Sequence, residues 1–390
     1  MIIKRFNAGI ILNSRGEKTI SVLVKTDNGE FSASAPSGKS KGRHEALAYI
    51  KDINHDIKLI NSKKALKTDL TELEDLKKIE KIFKGKIGAN SLFALEAALL
   101  KAAAKHEGRE VWQLINPNRK KFPMPVGNVI GGGLHSHIIP KPNFQEFLFI
   151  PETSSFKDAV EINKRALENC REILKNLDKK FKGKKNDENA WQTSIGDEQV
   201  LSVMSDVKEN MLDEFSGKVH TGIDAAASTF FKKGRYAYEN PRKILTKDGQ
   251  ISYILQLIKN YALYYIEDPL NEEDFSGFSE ITERARSLIV GDDLTVTSLA
   301  RIKKAKAKNS INALIVKPNQ NGSLISVSEI IKYCKKNDIL TIMSHRSGET
   351  NDNIIADLAF GFQTDFIKTG IVGKEREAKL NRLIEISKSI

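Results

Sequence analysis

The chain has 390 residues, of which 40% are hydrophobic and 29% are charged, so it is long enough for two folded domains with ordinary cores. Its net charge of +12 permits anionic partners, but the densest basic run, residues 179–185, has no RNA-binding motif, and nucleic acid is not an expected partner. No apolar run approaches the ~20 residues of a membrane span, and the N-terminus lacks a signal-peptide pattern. Cys170 and Cys334 have no metal-ligand spacing, and free thiols indicate a cytoplasmic protein.

The N-terminal part of the chain is predicted to have an α+β fold. Strands joined in a meander are predicted at residues 2–12, 19–26 and 30–35. Helical patterns follow at residues 44–50, 70–83 and 91–107. A proline-containing segment at 116–125 is typical of a linker. We therefore predict an N-terminal domain at 1–120 and a second domain at 121–390.

The second domain is predicted to alternate strands and helices. Two neighbouring strands, at 125–130 and 143–150, come first, and two helical stretches, at 155–177 and 199–215, follow them. From there to the C-terminus the strand and helix signals alternate regularly. About eight strands are expected, which is enough to close a βα barrel, although the ββαα start departs from strict alternation.

Six apolar, strand-like runs in this domain each end in a polar residue of a type used in catalysis. These ends are Asp224, Glu267, Asp292, Lys317, His345 and Lys368. Their spacing is that of a strand, a loop and a helix repeated. In a closed barrel the C-terminal ends of the strands face one another around a single mouth, so these groups would converge in one small volume. This convergence indicates an enzyme.

The three carboxylates among these ends are candidate metal ligands. Asp224, Glu267 and Asp292 would repel one another strongly at one point unless a cation compensated their charge. Oxygen ligands without histidine or cysteine favour a hard ion such as Mg²⁺. The alternative for any one carboxylate is that it caps a helix or pairs with a nearby base.

The basic residues suit catalysis and anion binding. Lys317 and Lys368 are both candidate general bases, because a nearby divalent metal ion and burial lower the pKa of a lysine. The alternative for either lysine is a structural ion pair with the carboxylates, and the lysine that is not the base would stay charged and hold an anionic substrate. His345, Arg346 and Ser347 lie in one short loop, where a guanidinium fork and a hydroxyl suit phosphate. An ordinary polar turn is the alternative for this loop.

Three other segments hold further candidates. Residues 35–42 contain two glycines and two serines and are typical of a mobile lid or a phosphate-binding loop. His135 and His137 lie in a glycine-rich segment that precedes Glu146. Glu198 lies in a turn, where a single acidic residue is most often a surface group.

Short motifs along nearly the whole chain resemble those of the enolase family. In chain order they are Asn13-Ser14-Arg15-Gly16, Pro36-Ser37-Gly38-Lys39-Ser40, Ile87-Gly88-Ala89-Asn90, Gly132-Gly133-Leu134-His135, Gln145-Glu146-Phe147, Gly196-Asp197-Glu198, Gly222-Ile223-Asp224, Ile266-Glu267-Asp268-Pro269, Asp292-Asp293-Leu294-Thr295, Val316-Lys317-Pro318-Asn319-Gln320, Ser344-His345-Arg346-Ser347-Gly348-Glu349-Thr350 and Ile367-Lys368-Thr369-Gly370. Each motif alone is weakly informative, whereas the whole set in this order is highly specific.

The resemblance implies a fold and a reaction. The fold is α/β, a modified (β/α)8 TIM barrel beginning ββαα, preceded by an α+β N-terminal capping domain that carries the lid loop 35–42. The reaction is the reversible Mg²⁺-dependent dehydration of 2-phospho-D-glycerate to phosphoenolpyruvate in glycolysis and gluconeogenesis. The resemblance also implies a homodimer or a larger assembly of dimers.

The resemblance further implies a role for each matched residue. The first of two Mg²⁺ ions is held by Asp224, Glu267 and Asp292, and the second, which arrives with substrate, contacts Ser40. Lys317 removes the C2 proton. The other implied catalytic residues are Glu198 as general acid, Glu146 beside it, and His345 near the leaving hydroxyl. The implied substrate-binding residues are His135, Arg346, Ser347, Lys368 and Ser40.

The chain departs from the family pattern in two loops. Gln199 and Val200 follow Glu198 where two glycines are usual. The histidine-containing loop is longer than usual before Glu146, so His135 fits the Gly-Gly-x-His pattern while His137 fits the usual spacing to that glutamate. We predict that His135 is the functional histidine of this loop.

Two other functions are compatible with the sequence. A related superfamily dehydratase acting on other carboxylates would not need the phosphate-type loop at His345, Arg346 and Ser347. An enolase-like binding protein with reduced or lost catalysis would use its basic surface on RNA or another anionic partner. Salt-sensitive nucleic-acid binding without Mg²⁺-dependent turnover would indicate this second alternative.

Overall fold

The computed structural model describes residues 1–39, 42–63, 65–118, 121–212, 215 and 217–390. Ser40, the expected ligand on the lid, lies outside the described residues. So do residues 119 and 120, which adjoin the predicted domain boundary, and that boundary stays a prediction.

The N-terminal part contains an antiparallel four-stranded sheet covered by helices. The strands are β1 (Ile2–Leu12), β2 (Lys18–Thr26), β3 (Gly29–Ser34) and β4 (Leu66–Lys67), in the spatial order β3-β2-β1-β4. The helices are α1 (Ile53–Asn61), α2 (Leu76–Phe83), α3 (Ala89–His106) and α4 (Val111–Ile115). Helix α3 is rich in alanine and leucine and packs closely on β2 and β3, because its small side chains let the backbones approach. The predicted meander is confirmed.

The prediction of a helix at residues 44–50 is wrong, because these residues form a turn, irregular backbone and a bend. Backbone groups of this segment form hydrogen bonds with distant parts of the chain. The Ala46 amide donates to the Gln320 carbonyl at 3.2 Å, and the Leu47 carbonyl accepts from the Ala89 amide at 2.8 Å. Tertiary hydrogen bonds therefore replace the local ladder that the sequence pattern favours. Helix α1, which the pattern did not predict, begins just after this segment.

The C-terminal part is a closed barrel of eight strands. The barrel strands are β5 (Met124–Gly131), β6 (Glu146–Glu152), β8 (Lys218–Asp224), β12 (Tyr265–Glu267), β13 (Leu288–Gly291), β14 (Ala313–Val316), β15 (Leu340–Ser344) and β16 (Phe366–Lys368). Strand β6 is antiparallel to both of its neighbours, β5 and β8, while the other neighbouring pairs are parallel. Pairing of β16 with β5 closes the barrel.

Helices cover the outside of the barrel. They are α5 (Phe156–Leu177), α6 (Asp197–Leu212), α7 (Lys247–Tyr261), α8 (Phe275–Arg284), α9 (Leu299–Ala307), α11 (Leu324–Lys336), α12 (Ile354–Phe362) and α13 (Lys374–Lys388). The short helix α10 (Pro318–Asn321) instead follows Lys317 and contacts α3 of the N-terminal part. The order β5, β6, α5, α6 confirms the predicted ββαα start, and the capped TIM-barrel fold is confirmed with it. Among the described residues, no helix is long and apolar enough to cross a membrane.

Short strands were not predicted. Strand β7 (Trp191–Gln192) pairs with β5, and β9 (Phe231–Lys232), β10 (Arg235–Glu239) and β11 (Arg242–Leu245) form a separate antiparallel sheet. This small sheet occupies the long connection between β8 and α7. Strand β7 holds the segment before α6 at the mouth of the barrel, which matters for the candidate site.

Candidate active site

The charged strand ends lie on the inner face of the barrel, next to its apolar interior. Side chains alternate between the two faces of a strand, so Tyr265 and Glu267 point the same way on β12, as do Phe366 and Lys368 on β16. Tyr265 and Phe366 belong to a buried apolar cluster to which the barrel strands contribute. On these strands the polar residue lies two positions after a core residue and therefore on the same face. The predicted convergence of the polar strand ends at one mouth follows from this spacing.

Lys368 joins three buried carboxylates at this mouth. Its Nζ atom lies 2.7 Å from Glu146, 2.8 Å from Glu267 and 3.5 Å from Asp224. Burial raises the pKa of Glu146 and of Asp224 to about 7, although Lys368 opposes the rise. Burial acts to lower the pKa of Lys368, but the three carboxylates hold that pKa well above its usual value. Lys368 is therefore a charged group that compensates its acidic neighbours.

Lys317 pairs with Asp292 from the neighbouring strand end. Its Nζ atom is in direct contact with the carboxylate. Burial acts to lower the pKa of Lys317, but the Asp292 charge outweighs burial and raises that pKa. Burial likewise acts to raise the pKa of Asp292, and the Lys317 charge lowers it. A proton-accepting role for Lys317 therefore needs other positive charge near Asp292.

The donor set at the strand ends fits a hard divalent cation. Asp224, Glu267 and Asp292 offer only carboxylate oxygens. Among the described residues, neither Glu267 Oε1 nor Asp292 Oδ1 has a hydrogen-bond partner, although both atoms are buried. Asp292 also belongs to a tighter group, since its ligand atom and those of Asp268 and Asp293 lie within 4.8 Å of one another. A bound cation would satisfy the unpartnered oxygens.

A second cluster combines two histidines with two glutamates. His135 Nδ1 lies 3.9 Å from Glu146 Oε1 and 3.7 Å from Glu188 Oε1, and His345 Nε2 lies 3.8 Å from the same Glu188 atom. All four residues are buried. Burial lowers the pKa of His135 to about 4, although Glu146 opposes the change. The His137 side chain is 56% exposed, so the structure brings His135 and not His137 to this cluster.

Glu198 does not reach this cluster, which corrects its expected position. It lies in the first turn of α6, where its side chain is 56% exposed. The Tyr253 hydroxyl donates to Glu198 Oε1 at 3.1 Å, and Lys243 Nζ lies 3.9 Å from the same atom. A side chain on the outer surface of a helix that packs on the barrel points away from the mouth. The carboxylate that lies between the two buried histidines is Glu188.

Glu188 was missed in the sequence, although its context offered a signal. Asn186, Asp187, Glu188 and Asn189 repeat the Asp-Glu pair in a polar turn. Asn189 has φ 64°, a left-handed conformation that asparagine adopts more readily than most residues. The Asn186 side chain accepts from the backbone amides of Glu188 at 2.9 Å and of Ala190 at 3.0 Å, which fixes the turn. Asp187-Glu188, which Asn189 and strand β7 follow, is therefore a better candidate than Asp197-Glu198 for the acidic pair of the site.

The N-terminal part meets the barrel at the loop that holds Arg346 and Ser347. Ser347 Oγ accepts hydrogen bonds from the Arg15 guanidinium at 2.6 Å and from the Lys39 backbone amide at 2.9 Å. These two donors use both lone pairs of the hydroxyl oxygen, so its hydrogen is left to donate to an anion. The Arg346 guanidinium lies 3.0 Å from the Glu45 carboxylate. Arg15, Lys39 and Glu45 were not among the predicted site residues.

One polar cavity collects these groups. The predicted site residues that line it are His135, Glu146, Asp224, Asp292, Lys317, His345, Arg346, Ser347 and Lys368. Further lining residues are Lys39, Gln145, Glu188, Asp268 and Asp293. Glu267 is fully buried and contacts Lys368, which lines the cavity. The structure therefore assembles acids, bases and anion-binding groups from separate strand ends in a single cavity.

Comparisons with known proteins agree with this arrangement. A family model described as the enolase N-terminal domain matches residues 3–115, and one described as the enolase C-terminal TIM barrel domain matches residues 119–390. The chain is 37% identical to the enolase of Picrophilus torridus over 399 residues, covering 100% of this chain and 99% of that protein. It is 36% identical to the enolase of Archaeoglobus fulgidus over 393 residues, with coverage of 99% and 97%. It is 38% identical to the enolase of Sulfurisphaera tokodaii over 413 residues, with coverage of 98% and 95%. The chain therefore belongs to the enolase family.

Proposed function

We propose that this enzyme carries out the phosphopyruvate hydratase reaction, the reversible Mg²⁺-dependent dehydration of 2-phospho-D-glycerate to phosphoenolpyruvate, with Lys317 as base and Glu188 as acid. The observation that supports these roles best is that one cavity holds Lys317 in one cluster and Glu188, between His135 and His345, in the other. Glu188 takes the role that the sequence motif alone gave to Glu198.

Lys317 takes up the C2 proton at its Nζ atom. A proton on the carbon next to a carboxylate is very weakly acidic. The negative charge that develops on the substrate as this proton leaves must therefore be stabilised by nearby positive charge. When bound by Asp224, Glu267 and Asp292, Mg²⁺ supplies positive charge that offsets both these carboxylates and the charge developing on the substrate. Lys368, which its acidic neighbours hold in the charged form, adds a second positive group.

Glu188 gives a proton to the departing C3 hydroxyl. Hydroxide is a poor leaving group, so a proton must reach this oxygen as the carbon–oxygen bond breaks. Glu146 shares the buried environment of Glu188 through His135, which lies within 4 Å of both. The ligand oxygens of Glu146 and Glu188 lie within 4.8 Å of each other, and burial raises the pKa of Glu146 to about 7, which places a protonatable carboxyl group beside Glu188.

The phosphate group is assigned to the loop that holds Arg346 and Ser347. The Arg346 guanidinium is a planar fork that donates to both oxygens of Glu45 in this structure, so a bound phosphate would take donors that Glu45 now uses. The hydroxyl hydrogen of Ser347 is left to donate because Arg15 and Lys39 fill the acceptor positions of its oxygen. Ser40 would contact the second Mg²⁺ from the lid. Its position is outside the described residues, so this part of the proposal rests on the sequence resemblance.

Turnover of matched variants tests the chemical roles. We would follow the ultraviolet absorbance of phosphoenolpyruvate during turnover of 2-phosphoglycerate with Mg²⁺. Lys317→Ala and Glu188→Gln are expected to lose about 10³-fold or more in kcat, and the matched control Glu198→Gln to stay within about threefold of wild type. A large loss in Glu198→Gln with activity kept in Glu188→Gln would return the acid role to Glu198. No turnover by folded, Mg²⁺-loaded wild type would contradict the function itself.

Thermal unfolding tests the metal site without relying on activity. A ligand that binds only the folded protein at about 100 times its Kd stabilises that protein by about 2.7 kcal/mol. We expect Mg²⁺ to raise the unfolding midpoint of wild type and to have little effect on Asp292→Asn, which loses one charged ligand. Equal shifts in the two proteins would contradict the assignment of Asp292 as a ligand.

The family resemblance also supports two statements about the protein in the cell. We propose a cytoplasmic location and a homodimer or an assembly of dimers. Sedimentation of the purified protein at micromolar concentration tests the second statement, and a monomer at that concentration would contradict it. The complete set of acid, base and carboxylates argues against both a related dehydratase and a binding protein without catalysis.

A further inference from the structure

One arginine outside the predicted site is buried against the catalytic loop. Arg376 lies in the first turn of α13 and is 1% exposed. Its guanidinium lies 3.0 Å from His345 Nδ1, 2.9 Å from the carbonyl oxygens of Arg346 and Ser347, and 3.3 Å from the carbonyl oxygen of Asp187. Among the described residues no carboxylate lies within 4.0 Å of it, so its charge acts on these four acceptors. A buried arginine without a carboxylate partner is uncommon.

A guanidinium can only donate hydrogen bonds, and it keeps its protons in proteins. His345 Nδ1 must therefore accept from Arg376 with its lone pair, and the single proton of the neutral ring must sit on Nε2. We infer that Arg376 is a positioning residue that fixes His345 as the neutral Nε2–H tautomer. Both the Nδ1–H tautomer and the imidazolium would place a second N–H group against the guanidinium.

The fixed tautomer gives His345 a defined direction of donation. The Nε2 atom lies 3.8 Å from Glu188 Oε1, so its N–H group faces the carboxyl group proposed as the general acid. Under the proposed function, on which this step rests, His345 then donates a hydrogen bond to Glu188 or to the leaving oxygen and does not accept a proton. The same guanidinium also holds the carbonyl oxygen of Asp187, so it aligns the loop of the acid with the loop of the histidine.

The surroundings of His345 keep the ring neutral. Among the described residues, Arg376 from α13 and Glu188 from its loop lie next to the ring, at 3.0 Å and 3.8 Å. The charges of Lys368 from β16, Lys379 from α13 and Lys317 from the end of β14 act on the ring in the same direction as Arg376. Burial and then the Arg376 charge lower the pKa of His345 well below its usual value, so a single neutral form is expected across the neutral pH range.

Nitrogen-15 NMR of wild type tests the tautomer directly. The protein contains seven histidines, and the spectrum of a His345→Gln variant identifies the signals of this ring. We expect one proton on Nε2, none on Nδ1, and no titration of the ring between pH 6 and pH 9. A proton on Nδ1, or protonation of the ring within that range, would overturn the inference. This result does not depend on turnover, so it remains decisive if the proposed function fails.

Variants of two arginines on the same helix separate positioning from stability. Arg376→Gln removes the charge at His345, and we expect kcat to fall about 10²-fold with KM changed less than about threefold. The kcat–pH profile should also lose activity on the acid side, as the ring becomes able to protonate. Arg382→Gln, which breaks contacts with Asp357, is the matched control and should lower stability without that change. If Arg376→Gln resembles the control in kcat, in pH profile and in the tautomer of His345, the inference is wrong. If Arg376→Gln does not fold, the nitrogen-15 spectrum of wild type alone tests the tautomer.

Discussion

The two histidines of the loop before Glu146 differ in burial and therefore in expected role. His135 lies within 4 Å of both Glu146 and Glu188, whereas the side chain of His137 is 56% exposed. We expect His135→Gln to lower kcat/KM for 2-phosphoglycerate by about 10²-fold, because it removes the ring that contacts both carboxyl groups. His137→Gln should change the same constant by less than about threefold. Steady-state kinetics of the two variants provide the measurement, and equal losses would show that burial does not distinguish them.

Residues at strand ends could be predicted from the apolar runs, while residues in loops could be predicted only where a short motif marked them, as for His135, Arg346 and Ser347. A strand fixes the direction of every second side chain, so Lys317 and Lys368 follow from apolar runs that end in a polar group. The Gly-Asp-Glu motif was matched at residues 196–198, and only the course of the chain shows that Glu188 faces the cavity while Glu198 lies on α6. Arg376 had no local signal, because its partners belong to loops distant in the sequence.

At the scale of elements, Asp178 connects the end of α5 to the segment that leads into α6. Its carboxylate accepts from the Thr193 hydroxyl at 2.7 Å, the Ser194 amide at 2.7 Å, the Ser194 hydroxyl at 2.6 Å and the Lys180 amide at 2.9 Å. We expect Asp178→Ala to lower the free energy of unfolding by about 2–4 kcal/mol, since these donors lose their acceptor. Asp206→Ala, an exposed acid on α6, should change it by less than about 0.5 kcal/mol in urea titrations.

The contribution of Asp178 should depend on pH in a defined direction. Burial acts to raise the pKa of Asp178, but its hydrogen bonds outweigh burial and lower that pKa below its usual value. The ionised form is therefore favoured by folding. Its stabilisation is complete above the unfolded value of about 3.9 and is lost as pH falls through the folded value. The difference between wild type and Asp178→Ala should shrink between pH 6 and pH 3, and a constant difference would contradict this account.

The regular elements of the barrel were predictable because their apolar runs are long and repeat with the helices. The sheet of β9, β10 and β11 was not, since its strands are short and half-exposed and carry little periodic signal. The helix expected at residues 44–50 failed for the opposite reason. Its residue types favour a helix, but contacts with Gln320 and Ala89 use its backbone groups. Local propensity determines the secondary structure of a segment only where no distant part of the chain competes for its backbone hydrogen bonds.

At the scale of the whole molecule, the N-terminal part closes one side of the cavity. Ser37 and Gly348 exchange two backbone hydrogen bonds, of 2.8 Å and 2.9 Å, between the N-terminal part and the barrel. A side chain at Gly348 would lie 2.4 Å from Asn13 Nδ2, so only glycine allows this approach. The contact places Lys39 at the cavity, where its Nζ atom lies 2.8 Å from Asp187 Oδ2.

The Lys39 charge should assist binding of an anionic substrate. Lys39→Ala leaves Asp187 without this cation at the mouth, and we expect KM for 2-phosphoglycerate to rise about 3–10-fold with kcat within about twofold of wild type. The rise should diminish as salt is increased toward about 0.5 M, because ions screen exposed charges. Lys25→Ala makes the same change to the net charge of +12 but breaks an exposed pair with Glu30 on the N-terminal sheet. If both variants raise KM equally, the effect belongs to the net charge of the protein, whereas a rise confined to Lys39→Ala assigns it to the local field at the cavity.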